Sequence, residues 1–174
     1  MRLLKNLKVR AKIVAAVSVV AALGAVVGVI GIVSLGKVQD SSVEISGNWL
    51  PSVQIVEELN TNTSDFRIAE YRHVSSLTPE TMRTATRMID DQTALIAKNR
   101  RTYEALISSP DERAIYETFS SQWAAYLTVH EKIIALSSQN KNEQALALLQ
   151  GDGQRDFDAA SETLRKLVDL DGTG

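Results

Sequence analysis

Four polar residues interrupt an otherwise apolar rhythm in the first half of the chain. Trp49, Val53, Val56, Asn60, Thr63, Arg67, Glu70, Val74 and Leu77 follow at alternating spacings of four and three, the heptad rhythm of helices packed side by side. Asn60, Thr63, Arg67 and Glu70 hold four consecutive positions that such a seam normally fills with apolar groups. Two chemistries fit. Arg67 and Glu70, three residues apart, can pair along the helix or satisfy partners on neighbouring helices. Alternatively the patch lines a site for a small anion, with the arginine fork suited to a carboxylate. Arg72 stands about 140° around the helix from Arg67, so one helix cannot present both to one ligand. A second helix or a second subunit could. Asn60, Thr63, Arg67, Glu70 and Arg72 are therefore the candidate ligand-binding residues.

Catalysis is not expected. The two histidines, His73 and His130, fall on different helices. His130-Glu131 opens like a metalloprotease helix motif, but Ile134 stands where the second metal ligand belongs. The chain has no cysteine, and it carries no glycine-rich phosphate loop, Gly-x-Ser-x-Gly elbow or Asp-rich metal loop. No enzyme activity, metal or cofactor follows from this inventory.

The elements that must position these residues are helices. No run of β-branched and aromatic residues alternates with period two. The first helical stretch runs from about Val38 to Ser76, bent or interrupted at Gly47-Asn48-Trp49-Leu50-Pro51. Ile55, Leu59, Phe66 and Ala69 widen its buried face. Thr78-Pro79-Glu80 starts a second helix, with an N-cap threonine, a proline in the first turn and an early acid. Its inner row is Met82, Ala85, Ile89, Ile96, Tyr103 and Leu106, and it stops near Ser108. Ser109-Pro110-Asp111-Glu112 repeats the start signal for a third helix, with Ile115, Phe119, Trp123, Tyr126, Ile133 and Leu136 inward. The fourth comes in two parts, a short turn at residues 145–149 and a longer piece after Gly151-Asp152-Gly153. Phe157, Ala160, Leu164, Leu167 and Val168 face inward on the longer piece. Long helices joined by short turns run antiparallel to their neighbours. The fold class is thus all-α, an antiparallel up-down-up-down four-helix bundle over residues 37–171.

In front of the bundle, residues 13–36 read IVAAVSVVAALGAVVGVIGIVSLG, 24 residues without a charge. As a helix they span about 36 Å, enough to cross a hydrocarbon core about 30 Å thick. Arg2, Lys5, Lys8, Arg10 and Lys12 precede them, and no acidic residue occurs before Asp40. That asymmetry predicts a basic cytoplasmic tail over residues 1–12, touching anionic lipid, a single transmembrane helix over 13–36, and an external bundle. A cleaved signal peptide also begins with basic residues, but its apolar run is about 7–15 residues long. Gly24 and Gly28 fit the small-xxx-small pattern of close helix association in membranes. Five of the 19 Lys and Arg residues lie in the tail, leaving 14 against 21 acidic residues. The external part is therefore acidic, and nucleic acid is excluded as its partner.

The segment Lys5-Asn6-Leu7-Lys8-Val9-Arg10-Ala11-Lys12 before a glycine-rich membrane helix resembles bacterial methyl-accepting chemotaxis receptors. So do Trp49-Leu50-Pro51, Arg67-x-x-Glu70, and the run from Asn142-Glu143-Gln144-Ala145-Leu146 through Leu149 and Gly151. The resemblance covers essentially the whole chain. It implies a periplasmic four-helix-bundle sensor anchored in the inner membrane, usually a homodimer, that binds a small molecule such as an organic acid or amino acid. Binding in that family moves one transmembrane helix relative to another, and a HAMP linker passes the motion to a coiled coil controlling a histidine kinase. The sequence ends at Asp171-Gly172-Thr173-Gly174, before any second membrane helix, HAMP linker or signalling helix. The expectation is a fragment or truncated product, with residues 172–174 a truncated end and the output half missing. Similar bundles also precede histidine kinases and diguanylate cyclases. From another class, a single-pass helical adaptor that docks partner proteins fits the same outline.

Overall fold

The computed structural model describes residues 50–171 and, nearer the N-terminus, residues 13, 18, 20–32 and 34. It divides into two units, Met1–Ser46 and Gly47–Gly174. In the first, residues 20–32 form a helix whose apolar side chains, from Val20 to Ile32, are exposed. Among the described residues no helix is long and apolar enough to cross a membrane. The remainder of the 13–36 segment lies outside them, as do residues 1–12 and 172–174.

The second unit is a helical bundle. Its elements are α1 (Leu50–Val74), α2 (Pro79–Glu104), α3 (Pro110–Ser138), α4 (Asn142–Leu148) and α5 (Gln154–Asp171), with a π-helical turn at Leu149–Gly153. Cross-helix pairs fix the directions. Asn62 meets Gln92 and Asn99, while Arg72 meets Met88, so α1 and α2 run antiparallel. Glu70 meets Tyr126 and His130, and His73 meets Ser137, so α1 and α3 run parallel. Thr163 meets Gln122 while Phe157 packs on Tyr126, so α5 runs back along α3. The order is up-down-up-down.

The start signals behave as their chemistry dictates. Thr78 and Ser109 each sit in extended backbone and accept from the N–H three residues on, closing capping boxes with Thr81 and Glu112. Pro79 and Pro110 follow in the first turn, where a missing N–H costs no helix bond. At the far end of α3, Asn140 takes a left-handed φ of 58°. Lys141 N–H then bonds Leu136 O and Asn140 N–H bonds Ser137 O, the Schellman pattern.

The expected bend at Gly47–Pro51 falls largely on residues 47–49, which lie outside the described residues. Two details differ from expectation. Leu77, the last position of the seam, is 93 % exposed because α1 has ended at Val74. α2 stops at Glu104 rather than near Ser108, because Leu106 and Ile107 N–H both return to the Tyr103 carbonyl. The larger core cluster is rich in aromatic residues, with Phe66, Tyr103, Tyr116, Phe119, Trp123 and Tyr126 buried against aliphatic residues of α1, α2 and α5, and Val74, Ile133, Ala145 and Leu149 form a second one.

Candidate functional site

The seam's polar residues lead into the interior. Arg67 is only 5 % exposed and Glu70 is fully buried. A charge taken out of water survives only with partners on most of its donors or acceptors, and both residues find them. Arg67 Nη1 donates to Glu70 Oε2 at 2.8 Å. Nη2 donates to the Leu149 carbonyl at 2.6 Å and to Gln154 Oε1 at 3.2 Å. The guanidinium also lies about 5–6 Å from the rings of Tyr71, Tyr126 and Phe157. Its Nε has no hydrogen-bond partner among the described residues.

Glu70 is the hub. Tyr126 Oη donates to Oε2 at 2.5 Å, and His130 Nδ1 lies 2.8 Å from Oε1. A carboxylate only accepts, so His130 carries its proton on Nδ1. Burial alone raises a carboxyl pKa. The hydrogen bonds from His130 and Tyr126, joined by the charges of His130 and Arg67, outweigh it and hold Glu70 below the ordinary carboxylate value. Burial and the neighbouring carboxylate push Tyr126 far upward, so it remains a protonated donor. One turn further on, buried His73 places Nδ1 2.9 Å from Ser137 Oγ, which itself donates to the His73 carbonyl at 3.2 Å. Burial depresses the His73 pKa, the nearby His130 adds to that, and Glu70 opposes it.

The turn at Leu149–Gly153 completes the cluster. The two-part fourth helix expected from Gly151-Asp152-Gly153 is joined by a π-helical turn instead of a loop. That turn brings the Leu149 carbonyl onto Arg67. A Cβ at Gly153 would lie 3.2 Å from Arg67 Nη1, from Ile133 Cδ1 and from Leu148 O. Glycine is the residue that lets the backbone come this close.

The candidate residues from the sequence thus divide. Arg67 and Glu70 are brought together as an ion pair along the helix, extended to α3, the π turn and α5. A ligand carboxylate on Arg67 would have to displace Glu70, Gln154 or the Leu149 carbonyl. Thr63 is buried and donates to the Asn60 carbonyl, while Asn60 is half-buried. Arg72 is exposed and, among the described residues, donates to Met88 Sδ, so Arg67 and Arg72 do not converge within one chain. Tyr126, His130, Ser137, Leu149 and Gln154 were not singled out from the sequence as site residues. Tyr126, His130 and Ile133 are four and three residues apart on α3, and a polar His130 in that inward row was the legible signal. Among the described residues no cluster of three or more His, Asp or Glu could hold a metal ion.

A family model described as a four-helix-bundle sensory module for signal transduction matches residues 6–173. The chain belongs to this family of chemotaxis-receptor sensory modules. Comparison with curated proteins gives no match. The module's four-helix order agrees with the family description. The ionic cluster joins both ends of the module's sequence, since α1 opens the bundle and the π turn and α5 close it.

Proposed function

We propose that this sensory module is the membrane-anchored input half of a chemotaxis-type receptor. Residues 1–12 stand in the cytoplasm of a bacterial cell, residues 13–36 cross the inner membrane, and the bundle lies in the periplasm. Two copies associate, a small organic acid or amino acid binds, and one membrane helix shifts relative to another. The protein catalyses nothing itself. The observation that carries this reading is the span of the family match. Residues 6–173 include both the sensory bundle and the 24-residue uncharged segment that follows five basic residues. The cluster around Glu70 supports the mechanical part. It ties α1 to α3, the π turn and α5, so a displacement of α5 is felt by α1, the helix nearest the uncharged segment in sequence. In this role Arg67 and Glu70 act as an internal latch, and exposed Arg72 is the α1 cation open to a ligand or a second copy.

Two fusions test the reading. A phosphatase that works only in the periplasm, fused after Gly174, should be active. A reporter that works only in the cytoplasm should be silent at the same point. A chimera of residues 1–171 with the second membrane helix and signalling half of a chemotaxis receptor should control kinase activity in response to at least one small acid or amino acid. A reversed reporter pattern overturns the orientation, and a chimera silent to every compound overturns sensing.

A further inference from the structure

Away from the ionic cluster, a groove of about 700 Å³ opens between the end of α1 and the start of α2. Ordinary ligand pockets have volumes of about 300–1,000 Å³. Small residues line it from both helices, with Ser75 and Ser76 on α1 and Thr81, Thr84 and Ala85 on α2, so neither helix fills the space between them. Their hydroxyls are spent on the backbone. Ser76 Oγ donates to the Arg72 carbonyl at 2.7 Å, Thr81 Oγ1 to the Thr78 carbonyl at 2.9 Å and Thr84 Oγ1 to the Glu80 carbonyl at 3.1 Å. What remains for a guest is mostly apolar surface. Buried Ala85 forms the floor, and exposed Leu77 and half-buried Met88 supply the apolar walls.

Arg72 supplies the charge. Its Nη1 donates to Met88 Sδ at 3.4 Å, a weak neutral acceptor that places the guanidinium in the groove without neutralising it. Among the described residues its Nε and Nη2 make no hydrogen bond, and no carboxylate lies within ion-pair distance of it. Those two donors form the fork that takes a carboxylate through two parallel bonds. Glu80 lines the other end of the groove, eight residues before Met88 on α2 and so about 12 Å away along the helix axis. A second negative group at that end would be repelled. The groove therefore matches a guest with one carboxylate and an uncharged apolar body. Among the described residues no aromatic side chain lines it, and pliable Met88 and Leu77 mould to an alkyl chain.

We infer that this groove binds a medium-chain alkyl monocarboxylate, of the length of octanoate. The carboxylate accepts from Arg72 Nε and Nη2, and the chain runs from Met88 toward Leu77. This deepens the sensory reading by giving it a ligand class, and it depends on that reading for its role in signalling but not for binding.

The test uses the full chain in nanodiscs of neutral lipid, with methyl-labelled methionine observed by NMR. The sequence holds three methionines, Met1, Met82 and Met88. Octanoate should shift the Met88 methyl resonance saturably and leave that of Met82, on the same helix but outside the groove, unmoved. Acetate, which lacks the chain, and octanedioate, whose second carboxylate meets Glu80, should not shift Met88. Octanol should bind about tenfold or more weakly than octanoate, for want of a charge-assisted hydrogen bond. Arg72→Gln should weaken octanoate by a similar factor and leave octanol unchanged. Thr84→Trp should fill the groove and block both. Residues 72 and 84 are exposed, so circular dichroism and melting should confirm that both variants fold. Absence of a saturable Met88 shift overturns the site. So does octanedioate binding as tightly as octanoate, or an octanoate affinity unchanged in Arg72→Gln. A Met88 shift that follows protein concentration without ligand puts a second copy in the groove and also overturns the site. Octanoate binding beside a chimera silent to every compound supports the site and overturns the sensory reading. A chimera that answers other acids while octanoate leaves Met88 unchanged overturns the site alone.

Discussion

α1 faces two very different seams. Toward α2 it offers neutral amides: Asn62 Nδ2 donates to Gln92 Oε1 at 3.2 Å, and Asn99 Nδ2 donates to Asn62 Oδ1 at 2.9 Å. This ladder borders an open groove of about 350 Å³ that Glu57, Glu58 and Lys98 also line. Half-buried Asn62 and Gln92 can turn to water there, and buried Asn99 has a second acceptor in Glu58 Oε2 at 3.4 Å, so a lost partner is replaced. Toward α3 and α5 the same helix offers Arg67 and Glu70, both buried. There a lost partner cannot be replaced, because an uncompensated charge in a low-dielectric interior is costly. The contrast teaches that polarity on a helix carries no fixed energetic meaning. Access of water decides whether a polar seam is tolerant or all-or-none.

The sharpest way to break the comparison is Arg67→Met. It should cost about 3–5 kcal/mol, because Glu70 keeps its charge and loses its cation. Urea unfolding followed by circular dichroism measures it. The double variant Arg67→Met/Glu70→Gln should be less destabilised than the sum of the singles, since the second change removes the stranded charge. Additive costs would show that the pair is not coupled.

Acid probes the same seam without mutation. His73 and Glu70 both have folded pKa values below their unfolded ones. The unfolded chain therefore binds more protons as pH falls, and stability falls with it. The His73 contribution is complete above its ordinary value of 6.5 and is lost as pH drops toward its depressed folded value. The Glu70 contribution is complete above 4.5 and is lost below it. Urea midpoints should thus decline on acidification in two stages. His73→Asn, which keeps a side-chain donor near Ser137 but does not titrate, should remove the first stage and leave the second. A midpoint flat from neutrality to about pH 4 would contradict the burial argument.

The tolerant seam should respond least. Asn62→Ala should cost about 1 kcal/mol, the net worth of ordinary hydrogen bonds whose partners can turn to water. Its urea midpoint should shift without a change in slope. A loss approaching that of Arg67→Met would erase the distinction between the two seams.

Much of the bundle was legible because it rests on local chemistry. Thr78-Pro79 and Ser109-Pro110 announce helix starts wherever the chain folds, since capping involves residues a few positions apart. The inward rows of Ala85, Ile89, Ile96 and of Phe119, Trp123, Tyr126 follow from helical period alone. The same period put Arg67 and Glu70 on one face and Arg72 on another. Sequence also set the charge contrast between the basic tail and the acidic remainder. What the Arg67–Glu70 pair meets could not be read this way. Leu149 O lies 82 positions from Arg67, and His130 lies 60 from Glu70. Only the juxtaposition of α1 and α3 closes the ring of donors around Glu70, and the π turn adds the carbonyl to which Arg67 donates. That π turn was itself obscured, because Gly151-Asp152-Gly153 has the composition of a loop, while its helical continuation is held by contacts with Arg67 and Ile133. Periodicity determines which residues point inward. Tertiary structure decides which inward residues meet, and with buried charges the meeting sets the energy.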